Sequence, residues 1–582
     1  MSKNIWVLIL LAAVFAGCKK ELSPLDDNHR TLENIYSDPY FAEGVLMNAY
    51  SRLPTNGYSF SEVATDDAVT NDKFSNFLTM ATGSWSAANN PMDQWANGYS
   101  AIMYLNLFLR EVDTVNWAPI NKDVRVLFRD RLKGEAYGLR GLFLLNLLQA
   151  HAGYSAGGGL LGVPVITDVL EPNSDFKKPR NTFDQCMTQI YSDLTEAEKY
   201  LPLDYQNIGS ASQLPAKYSG MAVADYNRVF GDYNRQRVTA RIVKGIRAKA
   251  ALLAASPAYN SQDNTIKWEE AANAAGNVLD LIGGVSGLDP KGNLFYTAAN
   301  VNAINLSGGI DQKEMLWRGS IGTSNNLEIN NFPPTLFGNG RVNPTQNLVD
   351  AFPMANGLPI TDPASGYVAT DPYAGRDPRL KNYILVNGGS MSNKTIWTKT
   401  DNPTNDAVNV LPTSTRTGYY LRKLLREDVN ANPTSSSVQK HYPVHIRYTE
   451  IFLIYAEAAN EAWGPDGTGT HGYSARNVIA AIRKRAGITQ PDSYLASISS
   501  KEDMRQLIRN ERRLELSFEG FRFWDLRRWK ERLTEPAEGI IINNNTYTVM
   551  PVENRQYADF MYYGPIPYGE ALKANLQQNK GW

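Results

Sequence analysis

Apolar positions recur at three- and four-residue spacing along much of the chain, the period of a helix with one buried face. The pattern predicts helices over residues 38–53, 91–112, 124–150, 182–200, 238–255 and 268–281. It predicts three more over residues 444–463, 475–486 and 501–518. Within the second, Trp95, Tyr99, Ile102, Asn106 and Leu107 fall on one face. Within 238–255, Ile242, Ile246, Ala250 and Leu253 form a stripe among alanines, and the pattern stops near Pro257.

Paired helices with small residues at their crossings, in units of about 34 residues, are similar to tetratricopeptide (TPR) repeats, although the Trp-Leu-Gly signature is missing. From about residue 289 to 442 the helical period breaks, and Pro, Gly, Asn and Thr dominate. Short strand-like runs stand at 314–317, 383–386 and 419–421, and the tail from residue 535 reads as irregular. Loops this long inside a compact protein are usually functional. The expected fold is mainly α: a single domain of TPR-like helix pairs with a large loop-rich elaboration carrying short strands.

The N-terminus adds a location. Lys3 precedes a short apolar run over residues 5–16, followed by Gly17 and Cys18. A charged start, a short apolar core and small residues at the end make a secretory signal. The run is shorter than the roughly 20 residues a membrane-spanning helix needs. Phe15, Ala16, Gly17 and Cys18 resemble a bacterial lipobox, with Phe where Leu is usual. The reading is a signal peptide over residues 1–17, a lipidated tether over 18–30 starting at Cys18, and the folded domain over 31–582. Cys186 is then the only other cysteine, so no intrachain disulfide forms. A net charge of -1 gives no electrostatic case for nucleic acid.

Several motifs invite chemistry and give little. Gly467, Gly469 and Gly472 fit GxGxxG, but a helix rather than a strand precedes them, which points to a plain interhelix loop. His441 and His445 are four apart with Pro443 between them, a poor metal pair. Asp66, Asp67 and Asp72, with Asn71, form an acidic cluster without EF-hand spacing, equally suited to hydrogen-bonding sugar hydroxyls. No cofactor and no metal site is indicated. In 501–518 and just beyond, Arg505, Arg509 and Arg513 form one column and Glu511, Glu515 and Glu519 another, facing nearly opposite ways. Like charges at this spacing repel, so each column is expected to find partners on other elements as a buried ionic lock.

Longer motifs then become recognisable. The run 508–516, with Ile508, Arg509, Asn510, Glu511 and Arg512, and the run 519–526, with Gly520, Phe521, Trp524 and Asp525, resemble the C-terminal hallmark of the SusD/RagB family. Gly134, Glu135, Ala136 and Tyr137, then Gly162, Val163 and Pro164, the run 344–352, Asp377, Pro378 and Arg379, and Ile446, Arg447 and Tyr448 fit the family in order. The resemblance covers nearly the whole chain after Cys18. It implies a TPR-containing outer-membrane lipoprotein that faces the exterior, binds glycans or other nutrients, and caps a SusC-like TonB-dependent β-barrel transporter. It implies a binding protein, not an enzyme.

The hallmark motifs describe the scaffold, so ligand residues must come from loops. Sugar rings stack on aromatic side chains, and their hydroxyls pair with carboxylates, amides and arginine. Trp85 lies in a polar loop outside any helical stripe and is the expected stacking platform, although a core tryptophan fits equally well. Asp67 is the expected hydroxyl acceptor, with Asp66 and Asn89 beside it. Tyr296, Phe337, Tyr373 and Arg376 in the central loops are further candidates. Two other readings stay open: a glycan-degrading enzyme, which needs a carboxylate pair across a cleft, and a TPR-like scaffold whose partner is only protein. Glycan type, and the choice between glycan and peptide, lie beyond the motifs.

Overall fold

A computed structural model describes residues 38–54, 58–306 and 309–582. The signal segment, Cys18 and the tether lie outside the described residues. The molecule is mainly helical. The long helices are α1 (Pro39–Tyr50), α2 (Trp95–Glu111), α3 (Lys122–His151), α4 (Phe183–Tyr200), α5 (Ala240–Ala255) and α6 (Thr265–Asp280). After the irregular region come α7 (Tyr448–Trp463), α8 (Ala475–Ala486), α9 (Lys501–Glu515) and α10 (Arg522–Trp529).

Local chemistry explains many of the helix ends. Asp38 caps α1 by accepting from the amides of Tyr40 and Phe41. Thr182 and Gln185 form a reciprocal capping box on α4. Gly487, at φ 96°, closes α8 in the left-handed region. The helices pack as sequential pairs: α2 on α3, α3 on α4, α5 on α6. Small residues set the crossings. A Cβ on Gly98 of α2 would lie 2.7 Å from Leu147 of α3, and one on Gly134 of α3 would lie 2.7 Å from Leu201. Helix α6 also packs on α7, so helices from both ends of the chain share one apolar core.

The irregular region folds around a second core that contains Phe332, Phe352, Tyr383 and Tyr419, all nearly fully buried. Its strands pair two at a time. The ones used below are β1 (Ala68–Thr70), β2 (Met315–Arg318), β3 (Gly322–Ser324), β4 (Val342–Pro344), β5 (Gln439–His441) and β6 (Val444–Arg447). All these pairs are antiparallel: β1 with β4, β3 with β5, and β2 with β6.

Three expectations change. Residues 444–447 are strand β6, not the first turn of α7, because the β2 ladder takes their hydrogen bonds. Helix α9 ends at Glu515, since Phe518 and Gly520 turn the chain at φ 64° and 85° into α10. The tail is not irregular: β7 (Ala537–Asn543) and β8 (Thr546–Glu553) form a hairpin. Asn544 and Asn545 sit at φ 47° and 58° in its two-residue turn, as a primed turn requires.

The two charged columns find their partners. Glu511 accepts from Arg379 and Arg483, each at 2.8 Å. Glu515 accepts from Arg379 at 3.1 Å and Arg485 at 2.9 Å. Glu519 binds Lys423 at 2.6 Å and Arg447 at 2.7 Å. Burial alone would raise the Glu515 carboxyl, but Arg485 and Arg379 outweigh it and hold it at about 2. The opposite column meets Glu461 through Arg505, Glu531 through Arg509, and Asp66 and Asp67 through Arg513. Helix α9 thus joins the second core to the helical body by ion pairs on both faces.

Candidate functional site

The structure contains a cavity of about 580 Å³ walled by three distant stretches of chain. Tyr58, Phe60, Val63 and Phe77 come from the segment around β1; Phe295, Tyr296, Thr323, Asn326 and Arg341 from the middle; Leu424, His441 and Tyr442 from the approach to α7. The β3–β5 and β1–β4 ladders hold these segments in register. The size falls within the usual range for small-molecule sites.

The aromatic wall is firmly fixed. The Tyr296 hydroxyl donates to the Asn382 carbonyl at 3.1 Å, and Tyr442 to that of Phe295 at 3.4 Å. Burial, then the nearby Glu519 carboxylate, pushes the Tyr58 hydroxyl well above its ordinary range, so it stays protonated. Arg318 lies over the Tyr442 ring at 5.3 Å, outside the cavity walls.

The polar wall has free capacity. Asp72 accepts a bond from the Phe74 amide at 3.1 Å and forms no ion pair among the described residues. Arg341 reaches only the Asn71 side chain, at 3.3 Å. The side chains of Thr323 and Asn326 have no hydrogen-bond partner among the described residues. His441 stands 3.5 Å from the buried Glu328 carboxylate. Rings on one side and unpartnered donors and acceptors on another suit an amphipathic ring with hydroxyls.

Of the residues singled out from sequence, Tyr296 lines this cavity, and so does Asp72 from the acidic cluster. Trp85 does not. It is 5% exposed, edge-on to Phe523, Tyr557 and Trp582, with its Nε1 donating to Asn90 at 2.9 Å. Its face is covered by the Arg527 guanidinium at 4.9 Å, which burial pushes down to about 10. A ring enclosed in this way offers no stacking surface. Asp66 and Asp67 are buried and occupied by Arg513 and Arg522. Burial would raise Asp66, but the two guanidiniums hold it well below the carboxylate range. Neither carboxylate reaches the cavity wall.

The remaining candidates lie elsewhere. Arg376 donates to the carbonyls of Pro372, Val349 and Phe352, which ties a loop together. The Tyr373 hydroxyl meets that of Tyr419 at 3.2 Å. Asn89 is exposed and bonded to the Ser84 carbonyl, and Phe337 is exposed at φ 63°, neither on the cavity wall. Tyr58, Phe60, Asn326 and Arg341 were missed. Tyr58 and Phe60 satisfy the same criterion that selected Trp85, an aromatic in a polar loop. Asn326 and Arg341 carry no pattern that separates them from ordinary loop residues.

His445 packs on Trp317 at 4.6 Å, and burial lowers it to about 4. His471, in the GxGxxG loop, bonds Asp280 at 2.7 Å and Asn273 at 3.1 Å, which makes that loop a packed connection. Among the described residues no group of three His, Cys, Asp or Glu could hold a metal, and no helix is long and apolar enough to cross a membrane.

A SusD family model matches residues 313–582, and a second model, described as starch-binding associating with outer membrane, matches residues 31–225. The chain belongs to the SusD family. The family is outer-membrane associated by that description. A SusD-like protein of Formosa agariphila is 34% identical over 101 residues, 17% of this chain and 18% of that protein, so the match spans under a fifth of that relative. A SusD-like protein of Bacteroides fragilis superposes with a TM-score of 0.71 at 24% identity, over 96% of this chain and 100% of that one. A SusD-like carbohydrate binding protein of the same species gives 0.68 at 19% identity, over 93% and 99%. A laminarin binding SusD-like protein gives 0.56 at 20% identity, over 94% and 100%. At these identities the superpositions establish the SusD fold.

Proposed function

We propose that this SusD-family protein binds a glycan in the cavity between Tyr58, Tyr296 and Asp72, and delivers it to a SusC-like TonB-dependent barrel in the outer membrane. A lipid on Cys18 would tether it to the outer leaflet, facing outward. The observation that carries the binding reading is the pairing, in one cavity, of fixed aromatic rings with Asp72 and Arg341, each holding a single hydrogen bond and no ion pair among the described residues, and with the Asn326 and Thr323 side chains, which have no partner there. The balance of charge favours a polyhydroxylated ligand: one free carboxylate and one guanidinium face the space. Asp72 is the single carboxylate among the described wall residues, so the carboxylate pair of glycoside hydrolysis is not assembled there, which supports binding over cleavage. The names of two structural relatives, carbohydrate binding and laminarin binding, support the ligand class.

Affinity electrophoresis against soluble starch, laminarin, xylan, mannan and pectin tests this. At least one polysaccharide should retard the wild-type protein, and Asp72→Ala with Arg341→Ala should cut affinity about tenfold or more, the loss of roughly 1.4 kcal/mol, at unchanged melting temperature. Retardation by none of the five defeats the reading. Delivery is tested by co-purification with a large β-barrel, and the tether by loss of membrane association in Cys18→Ala.

A further inference from the structure

One wall of the cavity is fastened by a single carboxyl group. Tyr58, Ser59, Phe60 and Val63 line the space, and Glu62 stands among them in sequence without lining it. Its side chain is fully buried. Oε1 accepts from the Gly520 amide at 2.7 Å, in the turn between α9 and α10 and 458 positions further along the chain. Oε2 has no partner among the described residues, and neither has the buried Ser61 hydroxyl. Phe60, which opens the short helix Ser61–Ala64, stands at φ 50°, in the left-handed region that bulky residues avoid. A buried segment with a strained entry and unsatisfied polar atoms opens more easily than the core around it.

No cation pairs with this carboxyl among the described residues, and those packed around it are already engaged. Arg513 of α9 and Arg522 of α10 hold Asp66 and Asp67, which follow on the same segment. Glu519, beside Gly520, is held by Lys423 and Arg447. Farther along α10, Asp525 pairs with Arg512 and Arg528, and Arg527 lies over the Phe523 ring. From the tail, Arg555 donates to the Thr65 carbonyl at 2.8 Å and pairs with Glu553, and the Tyr557 hydroxyl donates to the Ala64 carbonyl. Residues 76–84, which pack on the same short helix, carry no titratable group. Burial foremost, with the Asp67 and Glu519 carboxylates adding to it, pushes Glu62 up to about 7.

We infer that Glu62 is a pH-sensitive latch on the cavity: neutral, it fastens the 58–64 wall to the turn after α9; ionised, it lets that wall lift and weakens the hold on a ligand. The hold on a ligand rests on the reading of the cavity proposed above; the lifting of the wall does not. An ionised carboxylate without a partner gains water only when the segment opens. Opening should therefore rise with pH from 4.5, the ordinary value, to about 7 and stay level above it.

Hydrogen exchange on the ligand-free protein at about pH 5 and about pH 7.5, each rate divided by its intrinsic value at that pH, tests the latch. Three amides report directly: Gly520, bonded to Glu62 Oε1; Thr65, bonded to the Glu62 carbonyl; and Val63, bonded to that of Phe60. In wild type their protection should fall about tenfold or more between the two pH values, while amides of α6 change within about twofold. In Glu62→Gln, which keeps an acceptor for Gly520, all of them should change within about twofold. Equal protection at both pH values in wild type, an equal loss in Glu62→Gln, or the same loss throughout α6 overturns the latch. The polysaccharide that retards the protein should bind wild type about threefold or more tightly at the lower pH, and Glu62→Gln equally at both. Equal binding by wild type at both pH values overturns the control over the ligand. Absence of binding at either pH, with the exchange difference intact, removes the glycan reading and leaves the latch standing.

Discussion

Two buried glutamates show how one side-chain type is driven in opposite directions by its surroundings. Glu62 is fully buried, accepting from the Gly520 amide at 2.7 Å, with its Oε2 unpartnered among the described residues and Asp67 and Glu519 nearby. Burial, the largest cause, pushes it up to about 7. A carboxyl raised in the folded state costs stability as pH rises from its unfolded value through its folded one, and the cost is constant above that. Between pH 4.5 and 7 Glu62 should therefore cost on the order of 3 kcal/mol. Glu62→Gln keeps an acceptor for Gly520. Its melting temperature should exceed wild type at pH 8 and match it at pH 4.5; equal curves at both pH values would show that Glu62 is ionised at no cost. Glu515 has the reverse sign. Its folded value of about 2 lies below its unfolded one, so its stabilisation is full above about pH 4.5 and is lost as pH falls towards 2.

At the scale of elements, helix α9 and the helix crossings carry the argument. Arg379 is fully buried against Asp377, Glu511 and Glu515. Arg379→Met leaves three buried carboxylates short of a partner and should destabilise by about 3–5 kcal/mol. A double-mutant cycle with Glu515→Gln in urea should then return a coupling well above the roughly 0.3–0.5 kcal/mol at which independent sites add. At the α2–α3 crossing, Gly98→Ala gains about 1 kcal/mol of helix propensity. It also drives a methyl to within 3.0 Å of three Leu147 atoms in a buried interface, and overpacking of that kind costs roughly 1–3 kcal/mol. The net change should be destabilising, seen as a lower urea midpoint. The helices were legible because their apolar spacing is local. The ion pairs of α9 were legible in part: repulsion within each column required outside partners, yet nothing local says that Glu515 meets Arg379 rather than another arginine. The β7–β8 hairpin was missed because Ile540, Ile541 and Ile542 form an unbroken apolar run, buried at 540 and 542 and half-buried at 541, without a clear polar alternation. The signal lay in Asn544 and Asn545, two residues that tolerate positive φ.

At the scale of the whole molecule, the last residues act as a strap. Asn579 donates to the carbonyls of His151 and Gly564, Lys580 to that of Tyr154, and Trp582 packs on Trp85 at 4.8 Å. Removing residues 575–582 should take the Gln577 and Asn579 acceptors from the buried Arg180 guanidinium at about 1–3 kcal/mol each, lowering the urea midpoint and exposing Trp85 to an aqueous quencher. This packing is why Trp85 misled the reading of the candidate site. A tryptophan in a polar loop looks free until a segment almost five hundred positions later closes over it. Asp66 and Asp67 misled for the same reason, their guanidinium partners lying in and just beyond α9. The cavity itself was invisible because its walls meet only through tertiary structure.

That assembly has a kinetic meaning. The walls come from stretches around residues 58–77, 295–342 and 424–443, so no single stretch encloses the cavity alone. Joining segments so far apart is slow, since chain closure must precede any reward from contact. Helical circular dichroism should return early when the protein is diluted from urea, and the capacity to bind should return later, in step with the long-range pairings. The pocket would then serve as an internal clock for folding, reporting the moment at which the chain has finished.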